Sequence, residues 1–358
     1  MAEKPGTDMF NEIDDMVGSV RNGILSEESL AEARSLIIRS KRTIRKRIGG
    51  ETVTLLHFSD AHGDASALAR ILAWYERNAD LVDEVVCTGD LVYNNYAEDI
   101  AYWRSIPGAE RVLTCIGNHD VQPSATDKTH YGISVEQAAA RYVDPFVPFW
   151  GEVIHEAGTT WYAKDIETAG VRFIMLDTLV FISDDDKSAD SDRELAWLEE
   201  RLAEALERDL AVVIGEHFPI AEANMVDSPW QPFDGRFVYG PFMHESVAER
   251  VQAFIDAGGV FVCYLCGHCH TDAMHTLPGH PEQFASEVPS ATDDAVQSEW
   301  GDIDRTLPEA QDCFNVLTVD RANSLVKFVR VGADRSLALQ HRGVFTWDFV
   351  NHRLVYAD

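Results

Sequence analysis

From Thr52 onward, short apolar blocks alternate with stretches whose apolar positions recur at helical spacing, the pattern of an α/β chain. Strands are expected at Thr52–Phe58, Glu84–Thr88, Arg111–Ile116, Val171–Leu176, Ala211–Ile214 and Val260–Leu265. Helices are expected at Ser66–Asn78, Val135–Tyr142, Arg193–Arg208 and Ser246–Ala257. From Cys313 the pattern changes: Phe314–Val319, Ser324–Val331 and Gly343–Phe349 read as successive antiparallel strands, turning at Asp320–Asn323 and Val350–Asn351. Parallel units followed by a meander predict two stacked mixed sheets with helices outside.

Residues 1–50 read as a separate helical extension to a domain spanning 51–358. Ser26-Glu27-Glu28-Ser29 marks a helix start, and Leu30, Ala33, Leu36 and Ile37 follow at helical spacing. The stretch from Arg34 to Arg47 is basic on an otherwise acidic chain.

Composition narrows the function. Sixty acidic residues against 30 basic ones give a formal charge of −30 over 358 residues. Such a surface repels phosphate backbones, so no nucleic-acid partner is expected. No apolar run resembles a signal peptide or reaches membrane-spanning length. Cysteines sit mostly in apolar runs (Cys87, Cys115, Cys263, Cys266), as reduced thiols do, and a cytoplasmic location is expected.

The chemistry lies where strands run out. Asp60-Ala61-His62, Gly89-Asp90, Gly117-Asn118-His119-Asp120, His217 and Gly267-His268-Cys269-His270 each follow an apolar run. Loops at strand C-termini are where α/β folds place their sites. The set offers carboxylates, an amide oxygen and imidazoles, enough for two metal ions sharing a carboxylate. Mixed nitrogen and oxygen ligation suits Mn²⁺, Fe²⁺/Fe³⁺ or Zn²⁺ better than Mg²⁺ or Ca²⁺.

In this order the blocks resemble those of the calcineurin-like metallophosphoesterases: D-x-H, G-D, G-N-H-[DE], H and G-H-x-H, over roughly residues 52–275. The resemblance implies a four-layer α/β/β/α sandwich of two mixed sheets. It implies one metal on Asp60, His62 and His270, a second on Asn118, His217 and His268, and Asp90 bridging them. It further implies in-line attack on a small phosphorylated substrate by a hydroxide held between the ions. His119 is then the general acid, with Asp120 orienting its ring. A metal-binding scaffold without turnover is the alternative, although such relatives usually lack ligands that are intact here.

Gly89-Asp90-Leu91-Val92-Tyr93 also resembles the G-D-x-x-Y block of purple acid phosphatases, whose tyrosine binds iron. His62 competes for that place and is the preferred ligand, leaving Tyr93 to support a ligand, to contact the substrate or simply to pack. Leu176-Asp177-Thr178, followed by Trp197-Leu198, is similar to the branch holding purple acid phosphatases and class III cyclic nucleotide phosphodiesterases. Substrate choice is expected from residues 121–165 and 221–244, with Arg236 as the phosphate-contacting candidate, although most of their aromatics read equally as small cores packed under long loops. Cys263 and Cys266 lie three apart on a strand and point to opposite faces, so no metal is expected there.

Overall fold

The computed structural model describes residues 52–93, 97–122, 132–181, 189–219, 245–268, 270, 273–277, 279–288, 290–291, 312–332 and 344–355. The first sheet runs β14-β13-β12-β11-β1-β2-β3 and the second β4-β5-β6-β7-β8-β10-β9. In the first, β1 (Val53–Phe58), β2 (Glu84–Cys87) and β3 (Leu113–Thr114) are parallel. The meander β11 (Cys313–Asp320), β12 (Leu325–Gly332), β13 (Val344–Asp348) and β14 (Arg353–Leu354) extends it antiparallel from β1. The second sheet holds the parallel strands β6 (Val171–Met175), β7 (Ala211–Gly215), β8 (Val260–Cys266) and β10 (His280–Glu287). Antiparallel β4 (Ile154–His155), β5 (Tyr162–Ile166) and β9 (Ala273–Leu277) close its edges.

Alternation along β6 and β7 separates the layers. Val171, Phe173, Met175 and Val213 join the core between the sheets. Ile174, Val212 and Ile214 pack instead with Leu198 and Leu202 of α5 (Ala189–Glu207) and with Val247 and Val251 of α6 (Glu245–Asp256). Aromatic rings join the two sheets: Phe284 of β10 stacks on Trp347 of β13, with centroids 4.6 Å apart. On the first sheet's outer side, α1 (Ala65–Arg77) buries Leu68, Ile71 and Trp74, the last edge-on to Phe314. The α/β/β/α sandwich expected from the sequence is present.

Several boundaries differ from the sequence expectation. The strand from Arg111 shrinks to two residues, because Ala109–Arg111 forms a 3-10 turn after Gly108. Helix α5 starts four residues early, at Ala189. The β9–β10 hairpin was not anticipated. Residues 121–165 are not simply a substrate loop: they hold α4 (Val135–Tyr142), β4 and the start of β5. Their aromatics Phe146 and Trp150 are buried, against Trp103 and Tyr162 respectively. Cys263 joins the inter-sheet core and Cys266 the helix-facing cluster, on opposite faces as expected. The extension 1–50, the segment 221–244 with Arg236, and Cys269 lie outside the described residues. Among the described residues, no helix is long and apolar enough to cross a membrane.

Candidate metal centre

The C-terminal ends of β1, β2 and β3 in one sheet meet those of β7 and β8 in the other. Five of the expected ligands adopt left-handed backbone: Asp60, His62, Asp90, His268 and His270, with φ between 47° and 67°. Such conformations cost about 1–3 kcal/mol each for a non-glycine residue and concentrate at functional sites. Backbone bonds across the loops hold them in place. The Asp60 and His62 amides donate to the Gly89 and Asp90 carbonyls at 3.1 and 2.9 Å. Asp64 then caps α1 by accepting from the Ser66 and Ala67 amides, so the helix begins just past the turn.

Close approach leaves no room for side chains between the strand ends. A Cβ at Gly117 would lie 2.1 Å from Asp90 Oδ1, and one at Gly89 2.7 Å from His217 Nδ1. Gly89 is also at φ +90°, which glycine adopts without strain.

The side chains converge in overlapping sets: Asp60, His62 and His270; His62, Asp90 and His119; Asp90, His217 and His268. His270 Nε2 lies 3.2 Å from Asp60 Oδ1. His62 Nε2 and His217 Nε2 each lie 3.3 Å from Asp90 Oδ2. Asn118 Oδ1 is 3.1 Å from His217 Nε2. All seven expected ligands therefore gather around two carboxylates, with Asp90 between the histidines of both sheets.

This donor chemistry fits cations. His217 Nδ1–H donates to the Thr88 carbonyl at 2.7 Å, so its Nε2 carries the lone pair in the neutral ring. That lone pair, an amide oxygen and a carboxylate oxygen point at one another, an arrangement that needs a shared positive charge. Burial opposes the charge on His217, yet Asp90 outweighs burial and lifts its pKa to about 9. Burial likewise opposes ionisation of Asp90, but His217 and His62 hold it well below the usual carboxylate range. For His268, burial and then the His217 charge press the pKa well down.

The residues around His119 correct one expectation. Asp120 does not orient the His119 ring. Its carboxylate accepts backbone N–H bonds from Asp90 (3.0 Å), Gly117 (2.9 Å) and Val92 (3.1 Å), tying the β2 and β3 loops together. Burial and the Asp90 charge nonetheless push its pKa up to about 7. Gln122, which the motif did not reveal, meets the ring instead, with Nε2 3.0 Å from His119 Nδ1. His119 N–H donates to Asp90 Oδ1 at 2.8 Å, and His119 Nε2 sits 3.9 Å from Asp90 Oδ2. Tyr93 stacks on His119. His57, given no role from the sequence, lies 2.9 Å from Thr88 Oγ1, beside the carbonyl that holds His217. Burial and then Arg330 lower its pKa to about 3, keeping it neutral.

A fold of two mixed sheets whose strand ends gather paired carboxylates and histidines is that of the metal-dependent phosphoesterases. The chain belongs to the calcineurin-like phosphoesterase family, whose model matches residues 53–272. The fold is similar to that of a dimetal phosphatase from Danio rerio, at 13% identity and a TM-score of 0.51, covering 79% of this chain and 97% of that one. It is also similar to a purple acid phosphatase from yellow lupin (Lupinus luteus) seeds, at 16% identity and a TM-score of 0.51, covering 83% of this chain and 54% of that one. Among curated proteins, none matches the chain.

Proposed function

We propose that the chain is a dinuclear-metal phosphoesterase acting on a small phosphate mono- or diester. Asp60, His62 and His270 would hold one ion, Asn118, His217 and His268 the other, with Asp90 shared. Bound ions of the Mn²⁺, Fe or Zn²⁺ type supply Lewis acidity toward phosphoryl oxygens and make water acidic enough to attack in line. The chain's own residues do the rest. Thr88 fixes the direction of His217 by accepting its Nδ1–H, and Asp60 accepts the His268 amide at 3.0 Å. In its imidazolium form His119 would deliver a proton from Nε2 to the leaving oxygen, with the Gln122 amide turned so that Oε1 accepts Nδ1–H.

The observation that carries this reading is the sharing of Asp90 between histidines of both sheets, with His119 beside the same carboxylate. The test is His119→Asn in protein reconstituted with Mn²⁺. Metal content should persist while kcat falls by roughly 10²–10⁴-fold. Unchanged turnover removes His119 from the chemistry. Two bound ions with no turnover on any ester would leave the catalytically silent scaffold instead.

A further inference from the structure

His119 is held on more than one side. Gln122 meets Nδ1 at the ring edge. Tyr93 covers a ring face, with centroids 4.7 Å apart and planes 17° from parallel. His62 lies 4.8 Å away at a tilt of 57° and meets Tyr93 edge-on at 5.7 Å. Tyr93 is 41% exposed whereas His119 is 6% exposed, so the tyrosine forms the outer wall and the histidine the inner one. The stack depends on the same carboxylate that ties the loops. Asp120 accepts the Asp90 and Val92 amides, fixing the backbone that leads into Tyr93, while also accepting Gly117 N–H at the head of the turn that carries His119.

An edge contact alone lets an imidazole swing about the line through Nδ1. A parallel ring 4.7 Å away removes that swing, because tilting His119 would drive it into the tyrosine. Proton transfer to a leaving oxygen depends on the aim of Nε2, so lost alignment should appear in the transition state and not in binding. On the reading that His119 is the general acid, the geometry points to Tyr93 as its positioning residue, acting through the face of the ring and not through the hydroxyl. Asp120 serves the same end at one remove, by holding the tyrosine's loop against the histidine's turn.

The test uses the full chain reconstituted with Mn²⁺ and two matched esters of whichever type, mono- or diester, the wild type hydrolyses. One has a 4-nitrophenol leaving group, which departs without protonation; the other has a simple alcohol, which needs it. Tyr93→Ala should lower kcat on the alkyl ester by about 10–100-fold, the scale of losing alignment at a reacting centre. The nitrophenyl ester should fall by no more than about threefold, with KM for both little changed. Tyr93→Phe keeps the ring and should restore wild-type values on both. Proton NMR on protein reconstituted with diamagnetic Zn²⁺ supplies a readout independent of turnover. The His119 ring signals, assigned by their loss in His119→Asn, should carry the shielding of a stacked ring in wild type and Tyr93→Phe and lose it in Tyr93→Ala.

Equal losses on both esters, or Tyr93→Phe as impaired as Tyr93→Ala, overturn the positioning role. Loss of a metal ion in Tyr93→Phe overturns it in favour of the tyrosine as ligand. Wild type inactive on both esters would count against the phosphoesterase reading itself. In that event, His119 signals that do not move in Tyr93→Ala overturn the stack on their own.

Discussion

Two groups of buried carboxylates lie on the same fold, and they behave in opposite ways. At the metal centre, Asp60 and Asp90 are fully buried yet held below the usual carboxylate range, because imidazoles face them and outweigh the burial that opposes their charge. At the second sheet, Asp177, Glu194 and Glu216 are just as buried. Glu194 Oε1 accepts the Asp177 amide at 2.7 Å, Thr160 Oγ1 donates to Asp177, and Cys266 Sγ lies 3.5 Å from Glu216 Oε1. Burial first, then the Asp177 and Glu216 charges, push the Glu194 pKa well above normal. Burial alone favours a neutral acid; only facing positive partners turn a buried acid into a ligand. In this fold the facing histidines, and not the depth of the acids, set the two groups apart.

The comparison can be broken at either end. The largest effect is expected from Asp90→Asn, which removes the shared carboxylate. Turnover should fall by more than about 100-fold, the upper range for losing a mere outer partner of a ligand, and metal analysis should find less than two ions per chain. Two ions retained at full occupancy would mean Asp90 is not shared.

Gly117→Ala comes next. Its methyl would meet Asp90 Oδ1 at 2.1 Å and Asp90 N at 2.2 Å, so the loop must shift. Denaturant melts should show a loss of about 1–3 kcal/mol, accompanied by weaker Mn²⁺ binding. A variant with unaltered melting and metal affinity would show that the loops are not as tightly packed as described.

The smallest effect concerns Glu194. Its native carboxyl keeps a proton that the unfolded chain releases near pH 4.3, so the native state binds more protons above that pH. Stability contributed by this group is therefore present at low pH and lost as pH rises toward the raised native pKa, by at most about 1.4 kcal/mol per pH unit. Glu194→Gln should flatten that decline between pH 5 and 8 in urea melts. Parallel curves for the two proteins would place the proton elsewhere.

The convergence of the candidate ligands was legible in the sequence because each falls in a short motif after an apolar run, and strand ends on one side of parallel sheets converge by topology. The parts that orient them were not. Gln122 reaches His119 from one turn away, and Asp120 spends its oxygens on amides of a loop 28 to 30 residues back in the chain, which no local pattern encodes. His57 sits in no motif, and its partner Thr88 is 31 residues distant. Strand β10 went unseen for a related reason: polar residues occupy its buried positions. Gln283 is buried because Tyr264 Oη–H donates to its Oε1 at 2.7 Å while its Nε2 donates to the Ala248 carbonyl at 2.8 Å. Polar side chains satisfied by distant partners erase the alternation that reveals a strand. Of the two readings open for the aromatics of 121–165, packing under the loop holds for Phe146 and Trp150, which are core.

The bonds from His217 to Thr88 and from His268 to Asp60 run between the two β-layers. They act as rivets through the sandwich, so the centre is aligned only while the layers keep their mutual setting. Shrinking Phe284 or Trp347, neither of them a candidate ligand, would let one layer slide against the other. Such damage should show as misaligned donors and weakened metal affinity well before the fold itself gives way.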